Sequence, residues 1–497
     1  MKVPTTVFLH AFLGFALYAQ GANVAMPKNL LLIPAPREMS VNGGEYLAKE
    51  KPRTERLASI PPEGYELSIT TNGIAIRHSD EAGAYYANVT LSHLGYYSLK
   101  EKCKVYPCLE IKDSPAFRWR GVHLDEARHF FGKATVKKIL DMMARYKLNV
   151  FHWHLTDDQA WVLDVPGFPN LVRHANGATM GEKIGPFYYT ANDVREIVVY
   201  AKARHITIVP ELDFPGHCGM VAKAYPEFTC QIPGEGRSGV LCVGNPKAMR
   251  FVEKVLDWAC ELFPAEAIHI GGDECSRAYW RKCPRCQEFA KREGLTDVED
   301  IQPWVTKHLA EYLAKKGRKA VGWEEIAVGR GKADENGESE NKDARKPSLN
   351  LQKNVLVMGY HIEPGARAAN MGYKVVQTPN WRCYFDYTQQ LPEDPFRYFI
   401  PDRRWLPFKN VYRFDPYEGV KQEARSNVIG GQCCNWTEVT YNQYDLEWKI
   451  WPRAFALAEI LWTYPDPDNR DLAEFSVRAE EHRRRLIREH VNCAPLK

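Results

Sequence analysis

The residues most able to do chemistry lie in the stretch AIHIGGDECSRAYW, Ala267 to Trp280. An alternating apolar run ends in two glycines, and two carboxylates follow side by side, Asp273 and Glu274. A pair of carboxyl groups is what glycosidic cleavage commonly uses, about 5–5.5 Å apart for retention and about 6.5–9.5 Å apart for inversion. Neighbours on a strand, however, point to opposite faces. The plainer reading is a salt-bridged pair or a helix cap. Burying unpaired charge is expensive, so a Gly-Gly-Asp-Glu strand end is poor packing material. Two adjacent anions also repel, which raises the pKa of one of them, as a general acid requires.

Other polar residues gather in similar places. WRGVHLDEARHFF carries Arg120, Asp125, Arg128 and His129, and HWHLTDDQAW carries His152, His154, Asp157, Asp158 and Gln159. PELDFPGH carries Glu211, Asp213 and His217. Trp323, Tyr384, Asp386, Trp436 and Glu438 follow further along. So many histidines suit either a metal or a hydrogen-bonded supporting network. The second is the reading adopted, and no metal or other cofactor is expected at this site.

These residues need elements to position them. From about residue 116, short apolar strands alternate with amphipathic helices. Strands are expected at 120–125, 149–155, 205–213, 267–274, 320–326, 354–360, 374–379 and 427–438. TVKKILDMMARYKL, ANDVREIVVYAKAR, FVEKVLDWACELF, WVTKHLAEYLAKK and LEWKIWPRAFALAEILW read as helices. Eight strands with helices between them predict an α/β fold, a closed (β/α)8 TIM barrel over 116–497. An open doubly wound sheet is the alternative. Seven of the eight expected strands carry or lead into charged, His or aromatic residues at their C-terminal ends, where a barrel collects its active site. Residues 22–115 read as a small α/β domain, with YELSITTNGIAIRHS as a hairpin and EAGAYYANVTLSHL as a helix. Residues 1–21 resemble an export signal: Lys2, an apolar centre and small residues at Ala19–Gly21. Export to a periplasm, the exterior or a lysosome-like compartment follows as an expectation. Two segments stand apart, a charged loop at 329–350 and an aromatic stretch at 381–419. The stretch suits a pocket wall or a subunit interface such as a homodimer's.

Composition narrows the partners. The net charge of +4 over 497 residues, with no basic block, does not suggest nucleic acid. After the signal, no run is long and apolar enough for stable membrane insertion. Thirteen cysteines fit an oxidising compartment. Cys103 with Cys108 and Cys230 with Cys242 are the short-range pairs to expect. Cys283 and Cys286 form CPRC with Cys275 nearby, a weak zinc signal without a clear fourth ligand. Disulfides or buried thiols are therefore the default.

HIGGDE resembles the signature of glycoside hydrolase family 20, the β-N-acetylhexosaminidases. WRGVHLDEARHFF, NVFHWHLTDDQAW, PELDFPGH, VGWEEI, CYFDY, VYRFDPY and NWTE resemble further family motifs, in family order. The resemblance implies an exo-acting, retaining hydrolase acting on a glycan with a terminal β-linked N-acetylglucosamine or N-acetylgalactosamine. Catalysis would be substrate-assisted, the sugar's 2-acetamido oxygen forming an oxazolinium. It implies Glu274 as general acid and base, and Asp273 as holder of the acetamido nitrogen. Tyr384 would donate to the acetamido oxygen, and Trp323 and Trp436 would wall the methyl. Arg120, Asp386 and Glu438 would bind ring hydroxyls, and Asp157 and His217 would support the acid. Tyr360 stands nearest a place where the family often has Trp. The alternatives are a same-fold hydrolase for a lacto-N-biose unit or sulfated N-acetylglucosamine, a sugar-binding protein without activity, and a metal-dependent hydrolase using the histidines.

Overall fold

In a computed structural model of the chain, the described residues are 30–173, 187–232, 234, 238–329, 351–390 and 405–496. The segment 1–21 expected to be an export signal, most of the charged 329–350 segment and residues 391–404 of the aromatic stretch lie outside them.

Alternating burial in Tyr65–Thr70 and Gly73–His78 builds the first unit. These strands, β3 and β4, pair antiparallel about a two-residue turn, with Thr70 opposite Gly73. They join β1 (Glu38–Leu47), β2 (Arg53–Arg56) and β6 (Cys103–Asp113) in the order β1-β6-β3-β4-β2, and β5 (Tyr96–Ser98) pairs with β6. The helix Glu81–Leu94 starts at Asp80, whose side chain accepts the Gly83 N–H, a capping contact that satisfies a donor otherwise left open. It lays Tyr86, Ala87 and Leu91 on the sheet's Leu67, Ile69, Leu109 and Ile111.

The second unit is a closed eight-stranded parallel barrel, so the open sheet is excluded. Its strands are β7 (Trp119–Asp125), β8 (Val150–His154), β9 (Thr207–Glu211), β10 (Ala267–His269), β11 (Lys319–Trp323), β12 (Leu356–Gly359), β13 (Lys374–Gln377) and β14 (Val428–Cys433). Each follows an expected strand. Helices Lys133–Arg145, Ala191–Lys202, Pro246–Leu262 and Ile301–Lys315 stand where the periodicity places them. The last expected helix is two, Gln443–Ile450 and Arg453–Trp462, broken at Pro452. Proline has no N–H for the ladder, and its ring clashes with the preceding turn. No helix among the described residues is long and apolar enough to cross a membrane.

The two units share a charged, fully buried seam. Lys147 reaches Asp113 at 3.0 Å and the Tyr65 hydroxyl at 2.9 Å, and Trp462 Nε1 donates to Asp113 at 2.9 Å. Burial lowers the Lys147 pKa, and the Asp113 carboxylate opposes that shift.

Candidate active site

β10 is shorter than the alternation predicts. It ends at His269, and Ile270 to Glu274 form a loop. Gly271 and Gly272 lie at φ 66° and 91°, where L side chains are strained. A Cβ on Gly271 would fall 1.8 Å from Asp213 Oδ1, and the Gly272 N–H donates to that oxygen at 3.2 Å. Glu274 itself adopts φ 46°. Its N–H donates to Glu325 Oε1 at 3.0 Å, an oxygen that also accepts the Tyr360 hydroxyl at 2.9 Å. The two acids therefore leave the strand pattern. Asp273 turns inward, its side chain 14% exposed, while Glu274 stands in the mouth at 60%.

Asp273 Oδ1 is buried and accepts no hydrogen bond among the described residues. Asp213, His217 and Asp273 present polar atoms within 4.8 Å of one another. Burial raises the Asp273 carboxyl above its ordinary pKa, helped by Glu211 and Glu274 and opposed by His217. Asp213 is raised further, by burial and then by Asp273. Two carboxyls this close share protons rather than ionise together.

His217 faces both acids. Its Nε2 lies 3.7 Å from Asp273 Oδ2 and 3.8 Å from Glu274 Oε2, and its Nδ1 lies 3.2 Å from Asp157 Oδ1. Burial alone would lower this histidine, but Asp157, Asp158, Asp213 and Asp273 outweigh it and hold the imidazolium well above the usual range. Behind it, His154 Nε2 lies 2.9 Å from Asp157 Oδ2, and its Nδ1 lies 2.9 Å from Glu211 Oε2. Glu211 is a fully buried hub. His152 Nε2 and His269 Nδ1 approach it at 3.0 Å each, and Trp323 Nε1 donates to it at 2.8 Å. The histidines thus form a hydrogen-bonded support around one carboxylate.

The walls are aromatic. The Trp323 and Trp436 ring centroids are 5.8 Å apart, Trp323 and Tyr360 5.9 Å, and Tyr384 and Trp436 6.3 Å. Burial raises the Tyr384 and Tyr360 pKa values, keeping both hydroxyls protonated as donors. Phe385 N–H donates to the Cys434 carbonyl at 2.7 Å, tying Tyr384 and the buried Asp386 to the segment leading to Trp436 and Glu438. Arg128 continues the rim beside Trp436. It donates to Asp125 at 3.1 Å and to Gln159 at 3.0 Å, lies 2.8 Å from Asp157, and sits 5.1 Å above the Trp436 ring. Its NH1 is 3.8 Å from the half-exposed Glu438.

The catalytic-domain model of glycosyl hydrolase family 20 matches residues 117–465, and its domain 2 model matches 44–114. The chain belongs to glycosyl hydrolase family 20. Among its relatives, a β-hexosaminidase of Porphyromonas gingivalis is 33% identical over 452 residues, covering 87% of this chain and 55% of that protein. The chain thus spans about half the length of that relative. A β-hexosaminidase of Akkermansia muciniphila is 28% identical, covering 92% of this chain and 89% of that one. Among solved structures, a family 20 exo-β-N-acetylglucosaminidase of Vibrio harveyi in complex with N-acetylglucosamine superposes with a TM-score of 0.82 at 26% identity, covering 95% of this chain and 80% of that one. A β-N-acetylhexosaminidase of Bacteroides fragilis gives 0.78 at 26%, covering 93% and 96%.

Within this family 20 fold, the structure brings Asp157, His217, Asp273, Glu274, Trp323, Tyr360, Tyr384, Asp386, Trp436 and Glu438 to the C-terminal end of the barrel. Arg120 is the exception. It is the second residue of β7, at the barrel's other end, and 0% exposed. It donates to Glu63 of the small domain at 2.8 and 3.2 Å, to the Lys147 carbonyl at 2.8 Å and to the Phe117 carbonyl at 2.8 Å. Its guanidinium lies over Tyr86 and Trp462. This arginine docks one domain on the other. The rim guanidinium is Arg128, three residues beyond the end of β7. Asp125 holds the turn by accepting the N–H groups of Ala127 and Arg128. The signal was present in the sequence, an arginine just past a strand's C-terminal end. Glu325, which fixes both the Glu274 backbone and Tyr360, carried no such signal, because its role depends on a neighbouring strand.

Proposed function

We propose that the chain is an exo-acting β-N-acetylhexosaminidase that retains anomeric configuration by substrate-assisted catalysis. One observation carries this reading. Of the two adjacent carboxyls, Glu274 alone stands in the mouth, whereas Asp273 is buried with one oxygen accepting nothing among the described residues. Such a pair does not flank one glycosidic bond. It suits an acid at the bond and an acceptor for an N–H deeper in the pocket.

A terminal N-acetylhexosamine placed with its acetamido group among Trp323, Tyr360, Tyr384 and Trp436 would direct its N–H to Asp273. Tyr384 would donate to the acetamido oxygen. That oxygen attacks the anomeric carbon as the bond to the leaving oxygen breaks, and Glu274 gives that oxygen its proton. The resulting oxazolinium carries positive charge at nitrogen, which the Asp273 carboxylate stabilises away from water. Glu274, now ionised, takes a proton from water as the water opens the ring at the anomeric carbon. Arg128, Asp386 and Glu438 would hold the ring hydroxyls, and His217 with Asp157 would keep Glu274 in place. Export rests on the signal-like residues 1–21 and belongs to the same proposal.

The test is kinetic. On 4-nitrophenyl N-acetyl-β-glucosaminide, whose phenolate leaves with little protonation, Glu274→Gln loses most activity because the attacking water then lacks its general base, and Asp273→Asn loses about 10²–10³-fold in kcat, the loss typical of one transition-state partner. Undiminished rates in both variants would overturn the proposal.

A further inference from the structure

The CPRC turn finds its missing partners in the fold. Cys230 and Cys286 Sγ atoms lie 3.7 Å apart, Cys242 and Cys283 3.8 Å, and Cys242 and Cys286 3.9 Å. All four sulfurs fall within 4.8 Å of one another, and all four residues are buried. A disulfide would bring two sulfurs to about 2.05 Å and leave the other pair apart. Four thiolates around zinc at about 2.3 Å instead form a tetrahedron with edges of about 3.8 Å, the separation seen here. The expected Cys230–Cys242 disulfide is not what this arrangement provides. Nor is Cys275 a member, since it is buried beneath Gly216, where an added Cβ would meet its Cα at 3.2 Å. The Cys103–Cys108 pair is excluded by geometry. Both lie on β6 five residues apart, so they face opposite sides about 17 Å apart along the strand.

The geometry points to a structural Zn²⁺ site formed by Cys230, Cys242, Cys283 and Cys286, bracing the loop of Asp213 and His217 against the loop of Asp273 and Glu274. The ligands come in two pairs. Cys283 and Cys286 open the helix Pro284–Arg292, with Cys286 N–H donating to the Cys283 carbonyl at 3.1 Å. Cys230 and Cys242 are held side by side by Cys230 N–H to the Val240 carbonyl at 3.1 Å and Cys242 N–H to the Phe228 carbonyl at 2.8 Å. A closed set of four sulfurs leaves no position for water or substrate, which marks a structural rather than a catalytic metal. Binding exchanges thiol protons for the ion, with the protons released to water.

The site's placement gives it a task. The first pair follows β9 and the loop of Asp213 and His217. Leu241 N–H donates to the Pro215 carbonyl at 2.9 Å, and Cys218 N–H to the Gly239 carbonyl at 2.8 Å. The second pair follows the Asp273–Glu274 loop, and Trp280 Nε1 crosses to the Leu241 carbonyl at 3.0 Å. Gly244 lies so close to this turn that a Cβ there would fall 2.2 Å from the Arg285 carbonyl oxygen. A metal at the four sulfurs locks the His217 loop to the Glu274 loop.

The experiment uses the full chain purified without chelator from zinc-containing medium. Elemental analysis should find about one zinc per chain, and Co²⁺ exchange should give the thiolate charge-transfer and tetrahedral d–d bands of a four-sulfur site. Cys283→Ser and Cys286→Ser should fall below about a tenth of a zinc per chain, whereas Cys275→Ser keeps it. Mercurial displacement from wild type should release the ion and lower both Tm and activity, and thiol plus zinc should restore them. Because the metal, cobalt and displacement measurements are made on wild type, a variant that fails to fold does not blunt the test. Zinc-free protein whose unreduced mass is short by four hydrogens within these peptides would overturn the site in favour of two disulfides. Zinc-free protein with four free thiols, or stoichiometric iron, would overturn it equally.

Discussion

Two arginines eight residues apart separate a structural from a functional reading of one motif. Arg120→Lys keeps the charge but replaces a planar five-donor fork with a single ammonium. The fork spans Glu63 at 2.8 and 3.2 Å and two carbonyls at 2.8 Å. An ammonium cannot reach both the carboxylate and the carbonyls. Two or more charge-assisted bonds are lost, at about 1.5–3 kcal/mol each. With one contact retained, the net cost is about 3–5 kcal/mol, the range for a disrupted buried pair. Over 497 residues, an unfolding entropy of about 2.1 cal/mol/K per residue makes each kcal/mol worth roughly 1 °C, so Tm falls by about 3–5 °C. Activity per folded molecule, measured well below both melting points, should stay within about twofold, since the site is at the other end of the barrel. Arg128→Lys should cost activity, and stability too, because it gives up contacts to Asp125, Asp157 and Gln159. Its side chain is 10% exposed at the rim, and losing one or two bonds to substrate hydroxyls lowers kcat/KM by roughly 10–100-fold. Differential scanning fluorimetry and kinetics on 4-nitrophenyl N-acetyl-β-glucosaminide read both effects. An Arg120→Lys variant with unchanged Tm and a tenfold higher KM would refute the assignment.

Gly271→Ala should abolish most activity while the barrel still folds, because its Cβ would strike Asp213 Oδ1 at 1.8 Å and displace the Asp273–Glu274 loop; near-normal kcat would sink that account. Asp157 gives a pH signature. Burial would raise its pKa, but Arg128, His154 and His217 together hold it well below the usual carboxylate range. The stability it contributes is therefore present above its unfolded pKa of about 3.9 and lost as pH falls toward the folded value. His217, raised in the fold, keeps its contribution below about 6.5 and loses it only as pH rises through the folded value. The Tm gap between wild type and Asp157→Asn should be widest between about pH 5 and 6.5 and shrink toward pH 3. A gap constant across that range would mean the pairing contributes nothing.

Most of the frame is written in local pattern. Apolar alternation with helical stretches between defines the strands, and Asp273 and Glu274 stand out by charge where packing would favour neither. The hairpin at Thr70–Gly73 and the cap at Asp80 are likewise local. What pattern could not settle depends on partners distant in the chain. The alternation continues through Ile270, yet β10 stops at His269, because the Gly271–Gly272 turn is built against Asp213 from the loop after the preceding strand. Arg120 and Arg128 lie in one motif, and only the position of β7 in the closed barrel puts one under the small domain and the other at the C-terminal rim.

The cysteines show the same division. Spacing identifies Cys283 and Cys286 and proposes Cys275, the nearest in sequence. Tertiary structure brings Cys230 and Cys242 instead, from more than forty residues upstream of Cys286. Local sequence determines which residues form an element and where reactive groups cluster, because propensity and periodicity act over a few residues. Which end of the barrel a side chain occupies, and which loops lie against each other, is decided by closing the barrel, since contacts between loops of different strands exist only once those strands have paired.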